Sequence, residues 1–131
     1  MFATLFILLY AAHLLSDYVF QTDHQSDHKA LRSAAGWRAC LSHAGTHVAA
    51  SSVALGAGTV LLDLPLAWPK AVAVLAWVGL SHGFIDRRWP ILWWMERTGS
   101  EEFAQRGGAA YVDQTAHVTA LVLAALVAAA V

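Results

Sequence analysis

Charge is scarce in this sequence. Only 13% of its 131 residues are Asp, Glu, Lys or Arg, about half the roughly 25% of an ordinary soluble domain. Cysteine is scarcer still. Cys40 stands alone, which excludes an intrachain disulfide framework and a thiolate-rich metal site. There is no glycine-rich phosphate-binding motif and no nucleic-acid-binding module. No basic segment precedes the first apolar run and no A-x-A-like exit follows it. Residues 1–20 are therefore expected to form a retained span rather than a cleaved signal peptide.

What is abundant is apolar surface: 58% of the chain is hydrophobic, in runs that recur near the length needed to cross a bilayer. We expect a single domain, residues 1–131, folded as an all-α polytopic membrane four-helix bundle. The spans are placed at about 2–20, 37–62, 70–85 and 109–131. The stretch 21–38 is read as a polar loop. Residues 91–106 suit either a helix lying on the membrane surface or a solvated loop. Gly107-Gly108 is expected to break the chain before the last span. Seven of the eight Lys and Arg fall in the two loops after spans one and three. The positive-inside rule then puts both loops in the cytoplasm and both termini outside. Trp37, Trp89, Trp93 and Trp94 mark the cytoplasmic interface and Trp68 the other one.

Each span carries two ionisable residues spaced one helical turn apart on one face: His13 with Asp17, His43 with His47, His82 with Asp86, and Asp113 with His117. All eight fall in one leaflet and sort into two layers. Asp17, His43, Asp86 and Asp113 lie nearer the cytoplasm. His13, His47, His82 and His117 lie about one turn deeper, roughly 6 Å. The order of the pairs also suggests two pseudo-repeated helical hairpins.

Ionisable groups inside spans are costly and face the bundle interior or a wet cavity. A polar network joining helices would account for the polarity, but Ser, Thr or Asn would serve it as well. Five His and three Asp without Cys suit a divalent metal: Zn first, then Fe or Mn, as one ion or two. All eight are candidate ligands, and Asp17, Asp86 and Asp113 are also candidate catalytic groups. A carboxylate that does not bind the metal can act as base. Gln21 extends the His13–Asp17 face and Gln114 adjoins Asp113, so either can orient a ligand. Arg87 and Arg88 beside Asp86 can contact a phosphate or serve simply as positive-inside residues. Asp23, His24, Asp27 and His28 are read as a solvated loop cluster.

The series His13-x3-Asp17-x3-Gln21, His43-x3-His47, His82-x3-Asp86 and Asp113-Gln114-x2-His117 resembles a family of small bacterial and phage integral membrane proteins known only as a domain of unknown function. The resemblance covers nearly the whole chain, and its closing Asp-Gln-x2-His is the most specific part. It implies an integral membrane protein of the bacterial inner membrane, or a phage-encoded one in the host membrane. More loosely, the pattern is similar to membrane-bound metal-dependent hydrolases of the type found in the bacterial SOS regulon, an analogy that points to hydrolysis.

The resulting expectation is a membrane-embedded metal-dependent hydrolase acting on a lipid or lipid-linked substrate at the cytoplasmic leaflet. Its partners would be membrane lipids and not nucleic acid, with a homo-oligomer left open. The alternatives are a metal transport or sensing protein, and a non-enzymatic membrane factor with a structural polar core.

Overall fold

Each long helix repeats one pattern: small or apolar residues recur at three- and four-residue intervals along a single stripe, and that stripe continues into His and Asp. In the computed structural model, which describes residues 1–130, these stripes face one another. Helix α1 (Phe2–Tyr18) buries Leu5, Leu9, Ala12, His13, Ser16 and Asp17. Helix α3 (Ala34–Leu61) buries Ala39, His43, His47, Ser51 and Leu55. Helix α4 (Trp68–Ile85) buries Val74, Val78, His82 and Ile85. Helix α7 (Ala109–Ala129) buries His117, Ala120, Leu121, Ala124 and Ala128. Alanine and serine on these stripes let the backbones approach closely, as small residues do between membrane helices.

The pairs in contact run α1–α3, α3–α4, α4–α7 and α7–α1, so the four long helices close into a ring. One half of its interior is apolar, built from Leu5, Leu9, Leu55, Val74, Val78, Leu121 and Ala125. The other half holds the His and Asp residues. Trp77 Nε1 donates to Ala120 O at 2.9 Å, tying α4 to α7 between the two halves.

The all-α expectation holds, with no strand among the described residues. Two helices are long and apolar enough to cross a membrane, Ala34–Leu61 and the kinked Glu101–Ala129; Phe2–Tyr18 is apolar but shorter, at 17 residues. Val131, the last residue of the expected fourth span, lies outside the described residues.

The connections differ from the sequence reading in one consequential place. Residues 21–38 are not all loop. Asp23–His28 form a short helix, α2, started by a capping box in which Thr22 and Gln25 satisfy each other's backbone N–H. Gln25 Nε2 then donates to Ser42 Oγ at 3.1 Å, fastening α2 to α3. Gly36 makes the following turn possible, because a Cβ there would lie 2.1 Å from Leu31 O. Residues 89–108 form α5 (Trp89–Arg97), a single turn α6 (Glu101–Phe103) and a kinked segment to Gly108. Ile91 and Met95 of α5 are buried beside Ile85 and Ala120. The break expected at Gly107-Gly108 is a kink, with Gly107 at φ +91°, a conformation glycine adopts without strain.

Candidate metal centre

The stripe geometry brings five imidazoles into one buried cluster, with His13, His43, His47, His82 and His117 each no more than 3% exposed. The His47 and His82 rings stack at 3.4 Å between centroids, and His82 and His117 lie 4.3 Å apart. His13 touches His47, His82 and His117 at 5.3–5.7 Å. The four histidines expected to form the deeper layer thus lie ring against ring, and His43 packs on the edge of His47 at 4.7 Å.

Asp17 lies at the middle of this cluster. Its Oδ1 is 3.1 Å from His43 Nε2, 3.1 Å from His47 Nε2 and 3.8 Å from His82 Nε2. Its Oδ2 is 3.3 Å from His13 Nε2 and accepts from Gln114 Nε2 at 3.1 Å. Gln114 Oε1 in turn lies 3.2 Å from His13 Nε2. Gln114 therefore spans both members of the first pair. Gln21 reaches only the backbone, donating to Asp17 O at 2.9 Å.

Asp86 forms the second focus. Its Oδ2 lies 3.1 Å from His82 Nε2 and 3.5 Å from His43 Nε2. Its Oδ1 pairs with Lys29 Nζ at 2.9 Å and lies 3.9 Å from His117 Nε2. Asp113 stands further out. Its Oδ2 is 3.3 Å from His117 Nδ1, and His117 Nδ1 also lies 3.0 Å from Asp113 O. Asp113 thus holds the His117 ring from behind, with Nε2 on the side of Asp86, the arrangement by which carboxylates orient metal-binding imidazoles.

Two features fit a cation. First, His43 Nε2 and His47 Nε2 are 3.3 Å apart while both sit 3.1 Å from Asp17 Oδ1. If both carry protons, both can donate to Asp17 Oδ1, and the 3.3 Å contact between the two nitrogens is left without a hydrogen bond. If one does not, its lone pair faces the carboxylate. A cation shared by the three atoms accounts for all three contacts. The spacings are also close to the edge of a tetrahedron with bonds of about 2.0–2.1 Å, which is about 3.3–3.4 Å. Second, His82 Nε2, Asp86 Oδ2 and His117 Nε2 are buried with no hydrogen-bond partner among the described residues. Buried polar atoms are rarely left so. His82 Nε2 and Asp86 Oδ2 come within 3.1 Å yet make no hydrogen bond to each other, which leaves the imidazole nitrogen open to an ion and the carboxylate oxygen open to a proton.

The donor atoms fall into three overlapping sets whose members lie within 4.8 Å of one another: His13, Asp17, His47 and His82; His43, His82 and Asp86; and Asp86, Asp113 and His117. These buried His and Asp groups can hold a metal ion. The charge balance agrees. Three carboxylates and the Lys29 ammonium leave two negative charges, which one divalent cation neutralises.

Lys29 is the residue that sequence reasoning missed. It counted as one of several loop cations, yet it is 9% exposed and reaches the centre. Arg87 explains how. It is buried, its Nη1 donates to Lys29 O at 2.7 Å and its Nη2 to Leu31 O at 2.6 Å, and its guanidinium stacks on Trp37 at 4.2 Å. What Arg87 holds is the loop that delivers Lys29. Arg88 remains exposed at positive φ (φ +61°, ψ −34°), at the turn into α5. Asp23, His24 and Asp27 stay exposed on α2, with His24 stacked on His28, away from the centre.

No curated protein and no solved structure matches the chain. A family profile described as a protein of unknown function, DUF3307, matches residues 5–131. Because that match takes in all four long helices and every residue of the His/Asp cluster, the chain belongs to this family of proteins of unknown function.

Proposed function

We propose that the protein is a membrane-embedded hydrolase that uses one divalent metal, Zn by preference, to cleave a lipid or lipid-linked ester, amide or phosphoester at the cytoplasmic leaflet. The observation that carries this reading is the buried cluster of Nε2 and Oδ atoms drawn from four helices, three of which, His82 Nε2, Asp86 Oδ2 and His117 Nε2, have no hydrogen-bond partner among the described residues.

The membrane setting is supported by an inverted distribution of polarity. The interior of one half is His and Asp, while Ile7, Val53, Val60, Leu80 and Val127 are each more than 60% exposed on the outside. An exposed apolar surface of this extent is what a lipid-facing bundle presents. We read all four long helices as spans, with α5 and its exposed Trp89, Trp93 and Trp94 at the interface and both termini outside.

His13, Asp17, His47 and His82 would hold the ion, since they form the largest of the donor sets. Bound there, a divalent ion polarises a scissile oxygen and lowers the pKa of a bound water. The protein supplies the rest. Asp17 is engaged by several imidazoles and by Gln114, and Asp113 anchors His117. Of the three, Asp86 is the one with a buried carboxylate oxygen that accepts no hydrogen bond among the described residues, and with Asp113 it lines a cavity open to the outside. Asp86 is therefore the residue to take a proton from water, and Lys29 neutralises its other oxygen.

Metal transport is the weaker reading, because the other half of the ring interior is filled by the leucine-, valine- and alanine-lined core and offers an ion no ligand. The test is elemental analysis of protein purified without chelator, followed by hydrolysis assays on a broad lipid panel before and after metal removal. We expect about one metal per chain and turnover that chelator abolishes and the metal restores. Metal-independent behaviour across the whole panel would sink the proposal.

A further inference from the structure

Beside the histidine cluster lies a cavity of about 420 Å³, large enough for a headgroup. Its wall is mixed. Lys29, Asp86, Arg88 and Asp113 are its charged part, and Ile91 and Leu92 of α5 belong to its apolar part. Two cations thus line a cavity that borders a cluster of imidazoles and carboxylates.

Lys29 is held in place by Arg87 through its own carbonyl, and α2 is capped at one end and bonded to Ser42 at its middle. An ammonium so well anchored is costly to bury if its only task is to neutralise Asp86, since Asp86 also faces three imidazoles. Arg88 is the complementary case. It adopts a positive-φ backbone conformation that is uncommon for a side chain of its size, and so lines the cavity from the turn between α4 and α5.

From this we infer that the cavity recognises the phosphate of an amphiphile. Lys29 and Arg88 bind the phosphoryl oxygens, and the apolar wall receives the first part of the chain. An ammonium and a guanidinium are the donors that charge-assisted recognition of a phosphate uses, and their attraction must outweigh the repulsion of Asp86 and Asp113 in the same lining. The apolar wall selects a membrane phospholipid over free phosphate, which would leave Ile91 and Leu92 unused. The second groove that reaches the cluster supports the choice by contrast. It lies between α1 and α7, has a volume of about 650 Å³ and includes Gln114, but its other lining residues, such as Tyr10, Tyr18, Tyr111 and Thr115, carry no cation. The inference rests on the hydrolase reading only for the claim that the bound lipid is a substrate; the binding itself stands apart.

The test is native mass spectrometry of the full-length protein with phosphatidic acid, phosphatidylcholine, diacylglycerol or inorganic phosphate. The variants are Arg88→Asn, chosen because Asn is among the residues most often found at positive φ, and Lys29→Gln. One phosphatidic acid per chain should bind, with diacylglycerol and inorganic phosphate at least tenfold weaker. Arg88→Asn should weaken phosphatidic acid binding at least tenfold. Lys29→Gln should do so as well, with circular dichroism confirming that it folds. Phosphatidic acid binding left unchanged by Arg88→Asn, or diacylglycerol binding as tightly, overturns the inference. Specific binding with no turnover would overturn the hydrolase reading while leaving this one standing. Metal-dependent cleavage of a phosphate-free lipid at an unaltered rate in Arg88→Asn would do the reverse.

Discussion

Asp17→Asn separates a metal ligand from a polar strut. Asn keeps the shape of Asp and one carbonyl acceptor, so hydrogen bonds from His43 or His47 can persist, but the negative charge and the ligand are lost. In the structure Asp17 is 8% exposed and its two oxygens contact four imidazoles and Gln114. Disturbing a residue that only supports a ligand weakens metal binding about 10–100-fold. Removing a ligand itself should cost at least the upper figure, or about 2.8 kcal/mol. Metal present in excess stabilises the folded protein by its binding free energy, so that stabilisation falls by the same amount. For a chain of this size, at roughly 3–5 °C per kcal/mol, the metal-induced rise in Tm should shrink by about 10 °C. The assay is thermal unfolding in detergent with and without added zinc, alongside metal content by elemental analysis. Metal-free Asp17→Asn should melt close to metal-free wild type. Equal zinc-induced shifts in both proteins would refute the assignment of Asp17 as a ligand. A large loss of stability in the metal-free variant would instead identify a structural carboxylate.

Asp113→Asn should be milder, because Asp113 acts through His117. We expect a 10–100-fold loss of metal affinity or turnover with one metal still bound at saturation, measured by titration against a competing chelator. Arg87→Gln should release the loop before it affects the metal. Hydrogen exchange at residues 23–31 should accelerate, and stability should fall by about 2–4 kcal/mol as two charge-assisted bonds to carbonyls and the stacking on Trp37 are lost. Unchanged exchange in that segment would remove Arg87 from its role.

The pairs His13–Asp17, His43–His47 and His82–Asp86 were legible because helical periodicity fixes what shares a face, and a stripe that is apolar at one end must face inward along its whole length. Gln114 was legible by adjacency. Lys29 was not, because nothing in its immediate sequence distinguishes it from Arg32 or Arg38. Its position follows from contacts made 58 residues away, between Arg87 and the Lys29 carbonyl. A signal for α2 was nevertheless present in Thr22-x-x-Gln25, a capping-box spacing hidden within a stretch whose charges read as solvated. Asp113 does contact His117, as a spacing of one helical turn implies, but spacing could not say which of the ring's two nitrogens it would meet.

The ring is closed by its first and last helices. Donors from α1 therefore find Gln114 and His117 only after the final helix has been made. Until then His13, Asp17, His43, His47 and His82 wait in a half-built assembly. Completion of the cluster is then the closing event of folding, and a chain cut short before α7 would leave an acidic, histidine-lined cleft open along one side.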